Sequence, residues 1–111
     1  MTKFGNVTFT GASNTKYEFT AHSRDTDFNA IGAVYFMTKR SQKPDGRYSH
    51  KRIYVGQTGD LSDRPLNHHR KECFDSEGAN CVCSYPENNI DTRLEIETDL
   101  REKYDSPCNQ E

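Results

Sequence analysis

The chain has 111 residues, formal net charge −2 and mean hydropathy −1.04. That is enough for one domain and too little for two. Leu, Ile, Val and Phe number only 18 of 111, so the six Phe and six Tyr must supply the bulk of any core. The longest apolar run, residues 31–37, is too short to cross a membrane as a helix, and collagen, coiled-coil, solenoid and secreted disulfide-scaffold classes find no support. The N-terminus has no cationic start before an apolar stretch, so the expected address is the cytoplasm.

Residues 4–10 and 16–20 alternate apolar and polar around Gly-Ala-Ser-Asn-Thr, which predicts a β-hairpin. Residues 21–29 are polar and read as irregular. The dense β-branched and aromatic run 31–39 predicts a buried strand. Turn residues at 41–46 and a second strand at 51–57 complete another hairpin, with Gly56 and Gly59 at its exit. A helix is expected near 61–72, capped by Asp60 or Ser62, with Pro65 in its first turn. Residues 75–80 read as a loop and 81–85 as a short strand. A second helix over 90–104 starts at Asn89 or Asp91, and Pro107 bars its continuation. The class is α/β in the α+β sense, a small antiparallel sheet flanked by helices, with residues 1–30 as a hairpin extension and 31–111 as the main unit.

On a helical wheel with Ile90 at zero, Leu94, Leu100 and Tyr104 form an apolar stripe with Glu97 in its middle. Asp91, Glu95, Asp99 and Glu102 lie on the opposite, solvent face. An inward carboxylate is costly unless paired, for instance with Arg93 or Arg101 at i±4, or bound to a metal.

The charge is polarised: residues 37–71 carry net +6 and residues 72–111 net −8. The basic block, with His50, His68 and His69, suits an anionic partner such as a phosphate backbone, or else meets the acidic block across the fold. The four cysteines, at 73, 81, 83 and 108, lack the paired C-x2-C knuckles of a zinc site. Cys81 and Cys83 share one face of a strand and read first as small buried side chains, with zinc a minor alternative.

Ala33-Val34-Tyr35 on one strand, Tyr54-Val55-Gly56 on the next, Arg64 and His68 at i, i+4, Glu97, and Asn109 twelve residues later form an ordered set. This set resembles the GIY-YIG nuclease family over residues 31–109. Ala33 stands where the first tripeptide has Gly, with Gly32 adjacent, and Pro65 directly after Arg64 is unusual.

The resemblance implies phosphodiester hydrolysis of DNA with one divalent cation, Mg2+ or Mn2+, weakly held without substrate because one carboxylate cannot cage it. Glu97 would hold that metal. Arg64 would offset charge on the phosphate, and Tyr35 would activate water if nearby cations lower its phenol pKa from about 10. Tyr54 would position phosphate or water, and His68 would donate to a phosphate oxygen or assist the water. Gly56 and Asn109 would support the site, Asn109 by holding the C-terminal segment. Lys39, Arg40, Lys51, Arg52, Arg70 and Lys71 are the expected contacts to the nucleic-acid backbone. With 111 residues and no separate reading domain, specificity would be low or come from a dimer or partner. Each residue alone is more often an ordinary strand aromatic, surface cation or helix cap. The alternatives are a degenerate GIY-YIG fold that binds nucleic acid or protein without cleaving, and an interaction domain with no nucleic-acid role.

Overall fold

The computed structural model describes residues 3–63 and 70–109. Five strands form one antiparallel sheet: β1 (Lys3–Thr10), β2 (Lys16–Ser23), β3 (Ala33–Gln42), β4 (Tyr48–Thr58) and β5 (Cys81–Pro86), in the order β1-β2-β5-β3-β4. Among the described residues the helices are α1 (Lys71–Glu77) and α2 (Ile90–Lys103), and a 3-10 turn spans Pro107–Asn109. The N-terminal hairpin extends the sheet: β2 pairs with β5 from Thr20↔Ser84 to Ser23↔Cys81. This carries β2 three residues past the expected end of its alternation, into a segment read as irregular.

Each sheet face carries its own core, as period-two alternation requires. On the α2 face Phe9, Phe19, Val34, Phe36, Val55, Cys81, Cys83, Ile96 and Leu100 pack together. Phe9 stacks on Phe36 with ring centroids 4.1 Å apart, and Phe19 meets both edge-on. Aromatic area thus compensates for the scarcity of aliphatic side chains. On the opposite face Tyr35, Met37, Ile53, Leu61, Phe74, Val82 and Cys108 form a second cluster beneath α1 and the 3-10 turn.

The hairpin tip is held by α2. Asn14 takes the left-handed conformation at φ 69°, which Asn tolerates. The Asp99 carboxylate accepts from the Ser13 N–H at 2.8 Å, the Ser13 hydroxyl at 2.7 Å and the Tyr17 hydroxyl at 2.8 Å. A Cβ on Gly11 would lie 2.0 Å from Asp99 Oδ2, so only glycine admits this approach. Asp99, expected on the solvent face, is instead the anchor of the hairpin.

The helix expected near 61–72 falls largely on residues 64–69, which lie outside the described residues. Residues 61–63 form a turn in which the Asp60 carboxylate accepts the Ser62 N–H at 2.9 Å and its hydroxyl, and α1 begins only at Lys71. Asp60 therefore makes a local Asx-type turn. The helix then runs through 75–77, expected as loop, because Phe74 buries and Gly78 closes the C-terminus at φ 79°. Cys73 on α1 is disulfide-bonded to Cys108 in the 3-10 turn, 35 residues away, a link the spacing of the cysteines did not announce.

Candidate functional site

A β-bulge organises the site. In the β3–β4 ladder Met37 pairs with Tyr54 and Thr38 with Arg52, leaving Ile53 extra on β4. Ile53 and Tyr54 consequently both turn to the α1 face. The bulge also inverts the strand before it: Arg52 and His50, which share Tyr54's parity in the sequence, emerge on the α2 face, Arg52 above the Tyr104 ring at 4.3 Å and His50 against Thr38 at 2.9 Å.

Beyond the bulge, Tyr35 on β3 lies directly across from Gly56 on β4. Tyr35 is 1% exposed and its ring centroid is 6.0 Å from that of half-buried Tyr54, which in turn contacts Phe74 at 5.3 Å. A Cβ on Gly56 would stand 2.7 Å from the Tyr54 ring and 3.1 Å from the Tyr35 hydroxyl. The absence of a side chain at 56 is what lets the two tyrosines close over the strand.

Only one edge of β4 is paired with β3, and the outer edge is lined by the C-terminal half of the chain. Asn109 accepts from the Val55 N–H and donates to the Val55 carbonyl, both at 2.9 Å. Two residues along, on the same edge by strand geometry, the Gln57 N–H helps stabilise the Glu97 charge. Burial raises the Glu97 pKa above its ordinary value, and the Arg101 guanidinium and the Gln57 N–H offset only part of that. Three consecutive β4 residues, 55–57, thus carry contacts to Asn109, to both tyrosines and to Glu97.

The buried face of α2 is centred differently from the expected stripe. Arg93, Ile96 and Leu100 are buried, whereas Ile90 is 54% and Leu94 42% exposed. The face is rotated by about 60° from the predicted one, which leaves Glu97 at its margin, half-buried, rather than in its middle. Arg93 does not pair with it. Its guanidinium donates to Gln57 Oε1 at 2.9 Å and to the carbonyls of Glu87 and Asn88. A Cβ on Gly32 would come within 2.3 Å of that guanidinium, so Gly32 leaves the space Arg93 occupies. Sequence reasoning missed this role of Arg93; the signal available was an Arg at a core position of the wheel followed four residues later by Glu97.

Arg64 and His68 lie outside the described residues. The expected backbone-contacting cations are engaged in different ways. Lys51 pairs with Glu77 and Lys71 with Asp75, each at 3.0 Å, and Lys39 lies beside Gly78 at the end of α1. Arg40 stacks between Tyr48 (3.5 Å) and Phe4 (4.1 Å), and Arg70 is half-buried. Lys51 and Arg52 do line a groove with Lys103, Tyr104, Asp105 and Pro107, next to the turn that carries Asn109.

A hard cation is compatible with the residues present: Glu97 is a half-buried carboxylate, and a lone carboxylate leaves most of a Mg2+ shell to water and substrate oxygens. The three-donor cluster among the described residues, His50, Cys81 and Cys83, is rich in sulfur and unsuited to Mg2+. Compared with protein-family profiles, curated proteins and solved structures, the chain matches none.

Proposed function

We propose that the chain is a divalent-metal-dependent endonuclease of the GIY-YIG type, hydrolysing phosphodiester bonds of DNA. The observation that carries this reading is the gathering of Tyr35, Tyr54, Glu97 and Asn109 on the three-residue stretch 55–57 of β4. Tyr35, Glu97 and Asn109, all distant from it in sequence, meet the strand that carries Tyr54.

In this reading Glu97 holds Mg2+ or Mn2+ by one carboxylate. When bound, the ion supplies Lewis-acid stabilisation of the phosphate oxygens. Tyr35, deprotonated to the phenolate by nearby cations, accepts the proton of the attacking water, and Tyr54, at the more open side of the pair, orients phosphate or water by hydrogen bonding. Arg64 offsets charge at the phosphate and His68 donates to it. Asn109 holds the C-terminal turn on Val55, and the groove of Lys51, Arg52 and Lys103 follows the nucleic-acid backbone beside the site. One observation favours a second reading, a domain of this type that binds nucleic acid without cleaving it: at 1% exposure the Tyr35 side chain does not reach water.

The test is a Mg2+ and Mn2+ titration of cleavage on duplex, branched and single-stranded DNA, with Glu97→Gln and Arg64→Ala beside the parent. Metal-dependent cleavage lost in both variants supports the enzyme. Salt-sensitive binding with no cleavage of any substrate replaces it with the second reading. Neither cleavage nor binding overturns both.

A further inference from the structure

On the α2 face, at the end of the sheet away from the tyrosines, Cys81 and Cys83 point inward from β5 and His50 from β4. β3 runs between these strands, and there it presents Thr38, which pairs directly with Cys81. The ligand atoms of His50, Cys81 and Cys83 all lie within 4.8 Å of one another. Thr38 Oγ1 stands 2.9 Å from His50 Nδ1, and Cys83 Sγ is 4.0 Å from the same nitrogen. Both cysteines and Thr38 are fully buried, while His50 is partly open. Phe36, paired across from Cys83 on β3, walls the inner side. Arg40, which pairs across from His50, is held against Phe4 and Tyr48.

Two sulfurs and one imidazole nitrogen converging from separate strands are a borderline-soft donor set. They match a Cys2His tetrahedral site whose fourth position is left to water or the Thr38 hydroxyl. The approach is not a by-product of regular alternation. It depends on the bulge at Ile53, which turns His50 to this face.

We propose that His50, Cys81 and Cys83 form a binding site for one thiophilic d10 divalent cation, Zn2+, tying β5 to β4 across β3. It is separate from the Glu97 region in both position and ligand chemistry, and holds whether or not the chain is a nuclease. The neutral imidazole binds through Nδ1, and the thiols bind as thiolates, releasing their protons to solvent.

The test uses the full chain, stripped with chelator and kept without reductant, titrated with Co2+ and then Zn2+. One equivalent of Co2+ is expected to give thiolate charge-transfer absorption with tetrahedral d–d bands, both removed by Zn2+. Cys81→Ser and Cys83→Ser should each weaken binding by at least about tenfold and reduce the charge-transfer band, and His50→Ala should weaken binding while keeping it. Glu97→Gln and the Cys73→Ser/Cys108→Ser pair should titrate like the parent. Should the core variants not fold, X-ray absorption of the Zn2+-loaded parent reads the donor set directly: two sulfurs with one or two nitrogen or oxygen atoms supports the site. A native circular-dichroism spectrum with no charge-transfer band, an all-nitrogen-and-oxygen shell, or titrations unchanged by the His50, Cys81 and Cys83 substitutions overturns it.

Discussion

The Asn109 side-chain amide takes the place of a sixth strand at Val55, accepting from its N–H and donating to its carbonyl at 2.9 Å each. One side chain thereby closes part of the exposed edge that β4 would otherwise present, beside the position where Gln57 meets Glu97.

Asn109→Ala should leave both Val55 groups without that partner and lower stability by about 1–2 kcal/mol. Urea unfolding checks this. Asn109→Asp should not rescue, because a carboxylate can accept from the N–H but cannot donate to the carbonyl. If the nuclease reading holds, both variants cleave more slowly than their lost stability accounts for.

Gly56→Ala adds a methyl group where Tyr54 and Tyr35 already close in. The rings must move, so the near-ultraviolet circular dichroism should change while the far-ultraviolet signal stays native. If the nuclease reading holds, Tyr35→Phe, which retains the packing, should spare DNA binding and cut cleavage by roughly two to four orders of magnitude.

Glu97 is raised above the ordinary glutamate value by burial, so folding favours its neutral form. Its contribution to stability is complete below the unfolded pKa and is lost as pH rises through the folded one. Glu97→Gln should therefore melt no lower than the parent at pH 7, and any advantage should vanish at pH values below the ordinary glutamate pKa. Cleavage runs the other way. If the nuclease reading holds, it needs the carboxylate and should fall as pH drops through the raised pKa, which a rate profile from pH 4 to 8 would follow.

Reducing Cys73–Cys108 releases a loop of 35-residue separation, worth about 3–4 kcal/mol in a chain-entropy estimate. Cys73→Ser/Cys108→Ser should lower the melting temperature accordingly. Hydrogen exchange at the Val55 amide should quicken, because Asn109 adjoins the released cysteine and covers that amide.

The strands were legible in the sequence because β1 and β2 alternate apolar and polar residues, β3 is a dense β-branched and aromatic run, and turn residues separate the pairs. α2 was legible because Asn89 caps it, accepting from the Thr92 N–H at 3.1 Å. The candidate residues Tyr35, Tyr54, Gly56, Glu97 and Asn109 were named because their order and spacing resemble those of the GIY-YIG family. Which of them meet was decided in three dimensions. The bulge at Ile53 has no mark in composition, since it answers to how β4 fits β3, yet it sends Tyr54 to one face and His50 and Arg52 to the other. The orientation of α2 was set by the cavity it covers: Arg93 found the space left by Gly32 and the acceptors of Gln57, Glu87 and Asn88. A wheel drawn from apolar residues alone therefore pointed Ile90 and Leu94 inward when both face water. Local pattern determines what a segment can become, because periodicity and turn chemistry act within a few residues. Pairing register, the side chosen by a helix and the Cys73–Cys108 link depend on contacts between segments tens of residues apart, whose energies exist only once the sheet has closed.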